Sequence, residues 1–217
     1  MVAAALAVLR KDLLVEFRTR FALAAIGMFA LTTLVAVSFA VGLGMTEAVQ
    51  AALLWVVLYF AALSGLTRGF VAEEDGRTAD ALRLAADGTA VFWGKLVFNL
   101  LLLAALAVLL VPGFAVLMGA RVAAPGLLVA ALAAGCFGLT AALTFTAALV
   151  AQARSRGALG AVVSFPLVAP LLKLSIDATQ AAMVGNAQGW GTVTTVAALG
   201  GIVTIVAVLL FDSVWTA

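Results

Sequence analysis

The amino-acid sequence predicts an all-α integral membrane protein with six transmembrane helices, in a single transmembrane domain over residues 1–217. Composition is the first observation, because 66% of the residues are hydrophobic and only 10% are charged, against about 25% charged in soluble domains. A soluble domain could not cover so many apolar side chains, and a disordered chain needs more charge. The second observation is a set of six apolar runs of about 20 residues, the length of a bilayer-crossing helix.

The six apolar runs are continuous and do not alternate with polar residues, which favours helices over the strands of an outer-membrane barrel. The first run is longer than the roughly 7–15 apolar residues of a signal peptide, so we expect a retained span. The predicted spans are residues 21–44, 48–67, 96–120, 127–153, 157–176 and 190–211.

Basic residues are distributed unevenly between the two sides of the predicted bundle. Only Arg121 and Lys173 lie on the side of the odd-to-even span connections. By the positive-inside rule, this bias places both termini in the cytoplasm. The other ten basic residues are Arg10, Lys11, Arg18, Arg20, Arg68, Arg77, Arg83, Lys95, Arg154 and Arg156.

The N-terminal segment, residues 2–20, has the period of an amphipathic helix. Lys11 and Arg18 face away from its apolar stripe. We predict a helix that lies in the membrane interface, with its basic residues toward lipid headgroups. A charged tail that only sets topology is the alternative. The stripe consists of Val2, Leu6, Leu9, Leu13 and Phe17.

The connection over residues 68–95 has the composition of a docking loop. Gly76 marks a break, Thr78 can cap a short helix, and Gly88 can end it. A short helix with leucines and charges, held close under two spans, is suited to a groove on a cytoplasmic partner. A solvated loop that merely stays out of the bilayer is the alternative. The residues predicted to couple to a partner are Glu73, Glu74, Gly76, Asp80, Leu82, Arg83 and Leu84.

The fifth span contains Pro166 and Pro170, four residues apart. Each proline removes a helix hydrogen bond on the same face, which predicts a bent or broken helix and a candidate gate. Lys173 and Asp177 follow at a spacing that allows an ion pair. We expect residues 175–189 to form a loop or re-entrant turn.

Polar chemistry inside the spans is sparse. The chain has no histidine, and no ionisable residue lies in the middle of a span, which argues against a carrier with a buried proton relay. Asn99 is predicted to make a packing hydrogen bond. No catalytic, cofactor-binding or metal site is predicted, although four methionines could meet haem or a metal at the outer side: Met28, Met45, Met118 and Met183.

A ridge of small residues on the fourth span, Ala130, Ala134, Gly138 and Ala142, predicts close helix packing. Packing within the chain is the simpler interpretation of this ridge, and a homodimer seam is the alternative.

Three stretches resemble the heme exporter protein B (CcmB) family, the permease subunit of the cytochrome c maturation ABC transporter. The first is RKDLLVEFRTR before the first span. The second is the loop with Arg68, Phe70, Glu73, Glu74, Gly76, Leu82 and Leu84, followed by Gly94 and Lys95. The third is FPLVAPLL, followed by Asp177, Ala178 and Thr179. The chain departs from many relatives by having Ala85–Ala86–Asp87–Gly88 where they have a proline.

The resemblance implies an ABC-2-type permease fold with a cytoplasmic coupling helix, in the bacterial inner membrane. The implied partners are an ATPase subunit that binds ATP, a haem-binding membrane subunit and a periplasmic haem chaperone. Haem is the implied cargo, and this chain alone is expected to be neither an enzyme nor a cofactor binder. Within the family, either haem moves outward or ATP hydrolysis releases haem-loaded chaperone, and the lack of histidine favours release.

The resemblance leads to a mechanical hypothesis. The coupling loop takes up the motion of the ATPase subunit and passes it to spans two and three, with the N-terminal helix and the fifth span as levers. An ABC-2-type permease for a drug, lipid or polysaccharide is the nearest alternative. A stand-alone channel or carrier and a purely structural assembly subunit are the others.

Overall fold

The computed structural model describes residues 1–42, 44–66, 68–76, 78–151 and 156–215. Within these ranges, every element of regular secondary structure is a helix. We number the helices in chain order. They are α1 Val2–Thr19, α2 Phe21–Val41, α3 Glu47–Leu66, α4 Arg68–Asp75, α5 Ala79–Ala85, α6 Gly88–Met118, α7 Pro125–Ala151, α8 Arg156–Val184 and α9 Gly189–Trp215.

Six of these helices, α2, α3, α6, α7, α8 and α9, are long and apolar enough to cross a membrane. They overlap the six predicted spans in order, and the predicted fold class is confirmed. The three other helices are α1, α4 and α5, and they meet at the end of the bundle where α9 finishes. We call this end the termini end. The connections after α2, α6 and α8 form the opposite end, which we call the loop end.

Helix α6 begins at Gly88, about two turns before the predicted start of the third span. Asp87 is extended and precedes the first turn, and Ala90, Val91 and Phe92 behind it are fully buried. The last part of the predicted coupling loop is therefore the start of a spanning helix. These apolar side chains are buried against the rest of the protein, which composition alone does not show. Their burial stabilises additional helical turns before the predicted start of the span.

Helix α8 runs without interruption through Pro166 and Pro170, so the predicted break is wrong. Both proline rings are on the exposed side, whereas Val168 and Leu171 are buried against the neighbouring helices. Packing on that buried side holds the helix although each proline removes one donor. The predicted loop at 175–189 is also wrong over most of its length, since α8 continues to Val184.

Helix α7 has the most buried span of the six, and α2 the least. The ridge of small residues on α7 packs within the chain, because a Cβ added at Gly200 of α9 would stand 2.9 Å from the Cα of Gly138. Such an approach of two helix backbones is possible only where both residues are small.

Two buried hydrogen bonds join spans through side chains. Trp55 Nε1 on α3 donates to Thr179 Oγ1 on α8 at 2.8 Å. Asn99 Nδ2 on α6 donates to Thr144 Oγ1 on α7 at 2.9 Å, which confirms the hydrogen bond predicted for this asparagine. The first bond connects helices that are distant in the sequence, the second connects consecutive helices, and both help to set the register of the bundle.

We expect Asn99→Leu and Thr144→Val to be coupled in a double-mutant cycle by about 0.6 kcal/mol, and by no more than about 1.7 kcal/mol. The measurement is the unfolding free energy in mixed micelles. Thr146→Val is the matched control, since Thr146 Oγ1 donates to Ala142 O of its own helix at 2.9 Å. Equal coupling of Asn99 to both threonines would contradict the assignment.

Candidate functional site

Four charged side chains meet at the termini end, where α1, α4 and α6 come together. We call them the ionic cluster: Lys11 and Asp12 of α1, Glu73 of α4 and Lys95 of α6. Lys95 Nζ lies 2.7 Å from Glu73 Oε1 and 3.2 Å from Asp12 Oδ2. Lys11 also pairs with Glu73, and its Nζ lies 3.1 Å from Asp12 Oδ1. Two cations and two carboxylates therefore balance one another.

Burial makes this charge balance important. Lys95 is only 3% exposed, and Asp12 and Glu73 are also buried. Among the described residues, Asp12 Oδ2 and Glu73 Oε2 are enclosed and accept no hydrogen bond. The carboxylates therefore rely on the ammonium groups of α1 and α6 to offset their desolvation. Separating α4 from α1 or α6 would leave a buried charge without its partner.

Lys11 is the more accessible cation of the cluster. Partial burial by itself lowers the pKa of Lys11, but the hydrogen bond to Glu73 and the charges of Asp12 and Glu73 outweigh it. The net effect raises the pKa of Lys11 above its ordinary value. Lys11 therefore stays protonated at neutral pH and bridges α1 to α4. Its pairing with Glu73 and Asp12 is a contact within the protein that the sequence did not predict. An orientation of Lys11 toward lipid headgroups stays a prediction.

A cluster of aromatic rings packs beside these charges. Phe92 of α6 and Phe211 of α9 have ring centroids 5.2 Å apart, and Phe70 of α4 lies 6.0 Å from Phe211. Trp215 stacks on Phe211 at 5.9 Å. Lys95 Nζ lies 5.2 Å from the centroid of the Phe70 ring, a favourable cation–π distance. The same lysine therefore contacts both clusters and joins α4 to α6.

Helix α5 is attached to the end of α9 through Arg83. Arg83 Nε donates to Trp215 O at 3.1 Å, and its guanidinium lies 5.2 Å from the Trp215 ring. Carbonyls at a helix C-terminus lack a partner within the helix, so this bond satisfies one of them. Arg83, predicted as a partner contact, thus has a contact within the chain that sequence reasoning missed.

The two leucines of α5 lie in different environments. Leu82 is half-buried and packs on the hydrophobic core. Leu84 is 92% exposed. An exposed leucine at the tip of a short helix, without apolar cover from its own chain, is the residue suited to insert into a partner's groove. The structure therefore distinguishes Leu82 from Leu84, whereas the sequence-based prediction assigned both the same role.

The other predicted coupling residues have different outcomes. Glu73 was predicted to couple to a partner, but it is buried in the ionic cluster, because α4 turns it toward Lys95. Gly76 is exposed and follows α4 directly, as predicted for a break. Thr78 is the N-cap residue of α5, as predicted, but its side chain makes no capping hydrogen bond, and its N–H donates to Glu73 O at 2.9 Å. The side chains of Glu74 and Asp80 lie outside the described residues.

Helix α1 confirms the predicted N-terminal helix and shows how it is fixed to the bundle. Val8 and Asp12 form its buried side, and Gly94 of α6 allows the approach, since a Cβ there would stand 2.7 Å from Val8 Cβ. Leu6 and Phe17 are exposed, whereas Leu9 and Leu13 are half-buried. The apolar stripe is thus largely free, and its location in the membrane interface stays a prediction.

Within α8, Lys173 and Asp177 form the predicted ion pair, with Nζ 2.6 Å from Oδ1. Both residues lie inside the span Ser164–Val184, so the expectation that no ionisable residue lies in the middle of a span is wrong. Neither side chain is buried by the rest of the protein, since 71% of Lys173 and 38% of Asp177 is exposed. Pro166 and Pro170 contact neither this pair nor the ionic cluster through any described hydrogen bond, and a gating role for them stays a prediction.

Comparison with known proteins identifies the family of the chain. The chain matches the CcmB protein family over residues 3–214, which is almost its whole length. It is 31% identical over 187 residues to heme exporter protein B of Bradyrhizobium diazoefficiens, and the match covers 82% of each chain. The family match touches each of the helices described above, from the second residue of α1 to the last turn of α9. The chain therefore belongs to the CcmB protein family.

Proposed function

We propose that this chain is the permease part of a haem export system for cytochrome c maturation, and that it transmits the motion of an ATPase subunit through the membrane. Family membership and the similarity to heme exporter protein B support the transport role. Exposure of Leu84 on a helix bound to α9 is the observation that carries the coupling role. ATP is hydrolysed by the separate ATPase subunit in this proposal, and the present chain is a transport membrane subunit.

In this proposal, the motion of the ATPase subunit is received by α5 and passes from α5 to the spanning helices by two routes. The Arg83 contact to Trp215 connects α5 to α9. The backbone contact of Thr78 with Glu73 connects it to α4 and, through Lys95, to α6. The first route reaches the sixth span, which the sequence-based hypothesis of spans two and three did not include. Because separating the ionic cluster is costly, α1, α4 and α6 are expected to move as one unit.

The uneven distribution of basic residues supports a cytoplasmic termini end, so that α5 faces an ATPase subunit in the cytoplasm. The proposed location is the bacterial inner membrane, with a haem-binding membrane subunit and a periplasmic haem chaperone as further partners. Haem either crosses the complex or leaves it on the chaperone. A chain without histidine has few ligands for haem iron, which favours ligation by the partners.

We expect Leu84→Asp to weaken binding of the ATPase subunit by at least about tenfold, because burying a leucine contributes about 1.5–3 kcal/mol. Co-purification of the ATPase subunit and the level of assembled c-type cytochrome are the measurements. Leu84→Met should retain both, since methionine is apolar and similar in size. Leu82→Asp is a poorer test because Leu82 packs on the core.

Gln188→Asp is the matched control for the added charge, since Gln188 is exposed in the connection after α8 at the loop end. It should leave co-purification and cytochrome assembly unchanged. Normal binding of the ATPase subunit by Leu84→Asp would refute the docking role of α5. Normal binding combined with lost cytochrome assembly would place the defect after docking.

A further inference from the structure

A cavity of about 310 Å³ lies between α1 and the first turns of α6, at the termini end. No charged or amide side chain lines it, and Trp93 of α6 is its largest lining residue. The two helices touch beside the cavity, since a Cβ added at Gly94 would stand 2.8 Å from the backbone oxygen of Ala5. The cavity is therefore a recess with one wall from α1 and one from α6.

Exposed apolar side chains form the mouth of this recess. Leu6 of α1 is 58% exposed and Val97 of α6 is 38% exposed, and both line the cavity. Exposed apolar surface of this kind marks a site for a ligand, a protein or a membrane. Water is a poor occupant, because apolar cavities without polar partners stay dry.

The position of the cavity along α6 indicates an acyl chain as its occupant. Helix α6 is one of the six helices long and apolar enough to cross a membrane. Tryptophan prefers the boundary between headgroups and acyl chains, so Trp93 is suited to mark that boundary. Val97 lies one turn further along α6, toward the hydrocarbon region. An acyl chain that runs along α6 can therefore enter the space between α6 and α1.

The charges of α1 favour an anionic headgroup for this lipid. Arg10 and Arg18 of α1 are exposed, and so is Arg20, which follows the helix directly. Glu16 is the one acidic residue of α1 outside the ionic cluster. Basic residues beside a membrane surface attract anionic lipids. Three arginines against one glutamate therefore give this segment a preference for negative charge.

We propose that the cavity between α1 and α6 holds one acyl chain of an anionic phospholipid, with the headgroup beside the arginines of α1. The bound chain adds apolar contacts between the two helices, next to the close approach of Val8 to Gly94. The site belongs to α1 and α6, whereas the proposed docking residue Leu84 belongs to α5. Lipid binding thus goes beyond the proposed transport function and requires neither the ATPase subunit nor haem.

The first test counts the lipids retained by the full chain in detergent, by native mass spectrometry. The probes are phosphatidylglycerol and phosphatidylcholine with the same acyl chains. We expect one phosphatidylglycerol per chain and weaker binding of phosphatidylcholine. Leu6→Asp should weaken binding at least about tenfold, since each methylene that loses its apolar cover weakens binding about fourfold. Leu14→Asp is the matched control, because Leu14 is 59% exposed and does not line the cavity.

A second variant fills the cavity without adding charge. Val97→Trp should displace the acyl chain and lower retention as Leu6→Asp does. Val108→Trp is its control on the same helix, because Val108 is exposed and does not line the cavity. Thermal unfolding without added lipid verifies that each variant folds. Replacing the three arginines together by glutamine should remove the preference for phosphatidylglycerol while phosphatidylcholine still binds.

The fluorescence of Trp93 reports where the acyl chain lies, because bromine atoms on an acyl chain quench a tryptophan that they contact. One brominated phosphatidylglycerol per chain should quench the emission that Trp93→Phe removes. It should spare the emission that Trp190→Phe removes, since Trp190 is exposed at the loop end.

The lipid site is overturned if no phosphatidylglycerol is retained, if Leu6→Asp and Leu14→Asp retain it equally, or if Trp93 is not quenched. Equal retention of the two lipids by the unmodified chain would overturn the anionic headgroup. Co-purification of the ATPase subunit is measured separately, so failure of the lipid site and failure of the transport proposal are distinguishable.

Discussion

Replacement of Lys95 by methionine is expected to destabilise the protein by about 3–5 kcal/mol, the typical cost of breaking a buried ion pair. The ammonium group of Lys95 contacts both Glu73 and Asp12 and is 3% exposed. Methionine preserves much of the apolar stem of lysine, so the measured loss of stability reports the removal of the ammonium charge. Two buried carboxylates would then share the partly exposed Lys11 alone. The measurement is the unfolding free energy in mixed micelles.

Lys173→Met is the matched control, because it removes the same charge from an exposed pair with Asp177. Its expected cost is smaller than that of Lys95→Met, because the Lys173 side chain is 71% exposed and its removal leaves no carboxylate buried within the protein. The double variant Lys95→Met with Glu73→Gln should regain stability relative to Lys95→Met, since one of the two stranded carboxylates is neutralised. Similar losses for Lys95→Met and Lys173→Met would contradict the buried ionic cluster. Failure of the double variant to regain any stability would show that the carboxylates are not the cause.

Gly200→Ala should destabilise the bundle by about 1–3 kcal/mol, as expected for overpacking. The new Cβ would stand 2.9 Å from Gly138 Cα and 3.3 Å from Gly138 N. These are backbone atoms, which cannot turn aside as the end of a side chain can. Helices α7 and α9 must therefore move apart along their common seam, and the larger Gly200→Leu should prevent folding or reduce its yield sharply.

The neighbouring Gly201 is an unusually close control for this substitution. A Cβ at Gly201 meets nothing within 4 Å. Alanine in the middle of a helix is favoured over glycine by about 0.5–1 kcal/mol, so Gly201→Ala should be neutral or stabilising. Opposite signs at adjacent positions of one helix are the expected result. Equal effects at Gly200 and Gly201 would refute the close approach to Gly138.

Features that depend on local composition were predictable from the sequence. The six spans follow from continuous apolar runs, and the pair of Lys173 and Asp177 follows from spacing on one helix. The internal seam at Gly138 follows from a ridge of small residues, and the hydrogen bond of Asn99 from a polar group that needs a partner in the membrane. Each of these inferences requires only a few neighbouring residues.

The ionic cluster could not be predicted because its members belong to three helices separated by long stretches of chain. Asp12, Glu73 and Lys95 each lie near the end of an apolar run, where charge is normally exposed to water. Folding brings them together and buries them. The same limit applies to Leu82 and Leu84, which differ only in which neighbour covers them.

By itself the sequence determined that the chain has six segments long and apolar enough to cross a membrane, and which family the chain resembles. Hydrophobic burial in a bilayer depends on runs of about 20 residues, which are contiguous in the chain. Only the tertiary structure decided that Glu73 is buried, that Leu84 is exposed and that α8 continues through Pro166 and Pro170. Those outcomes depend on packing between helices, and packing joins residues that the linear order keeps apart.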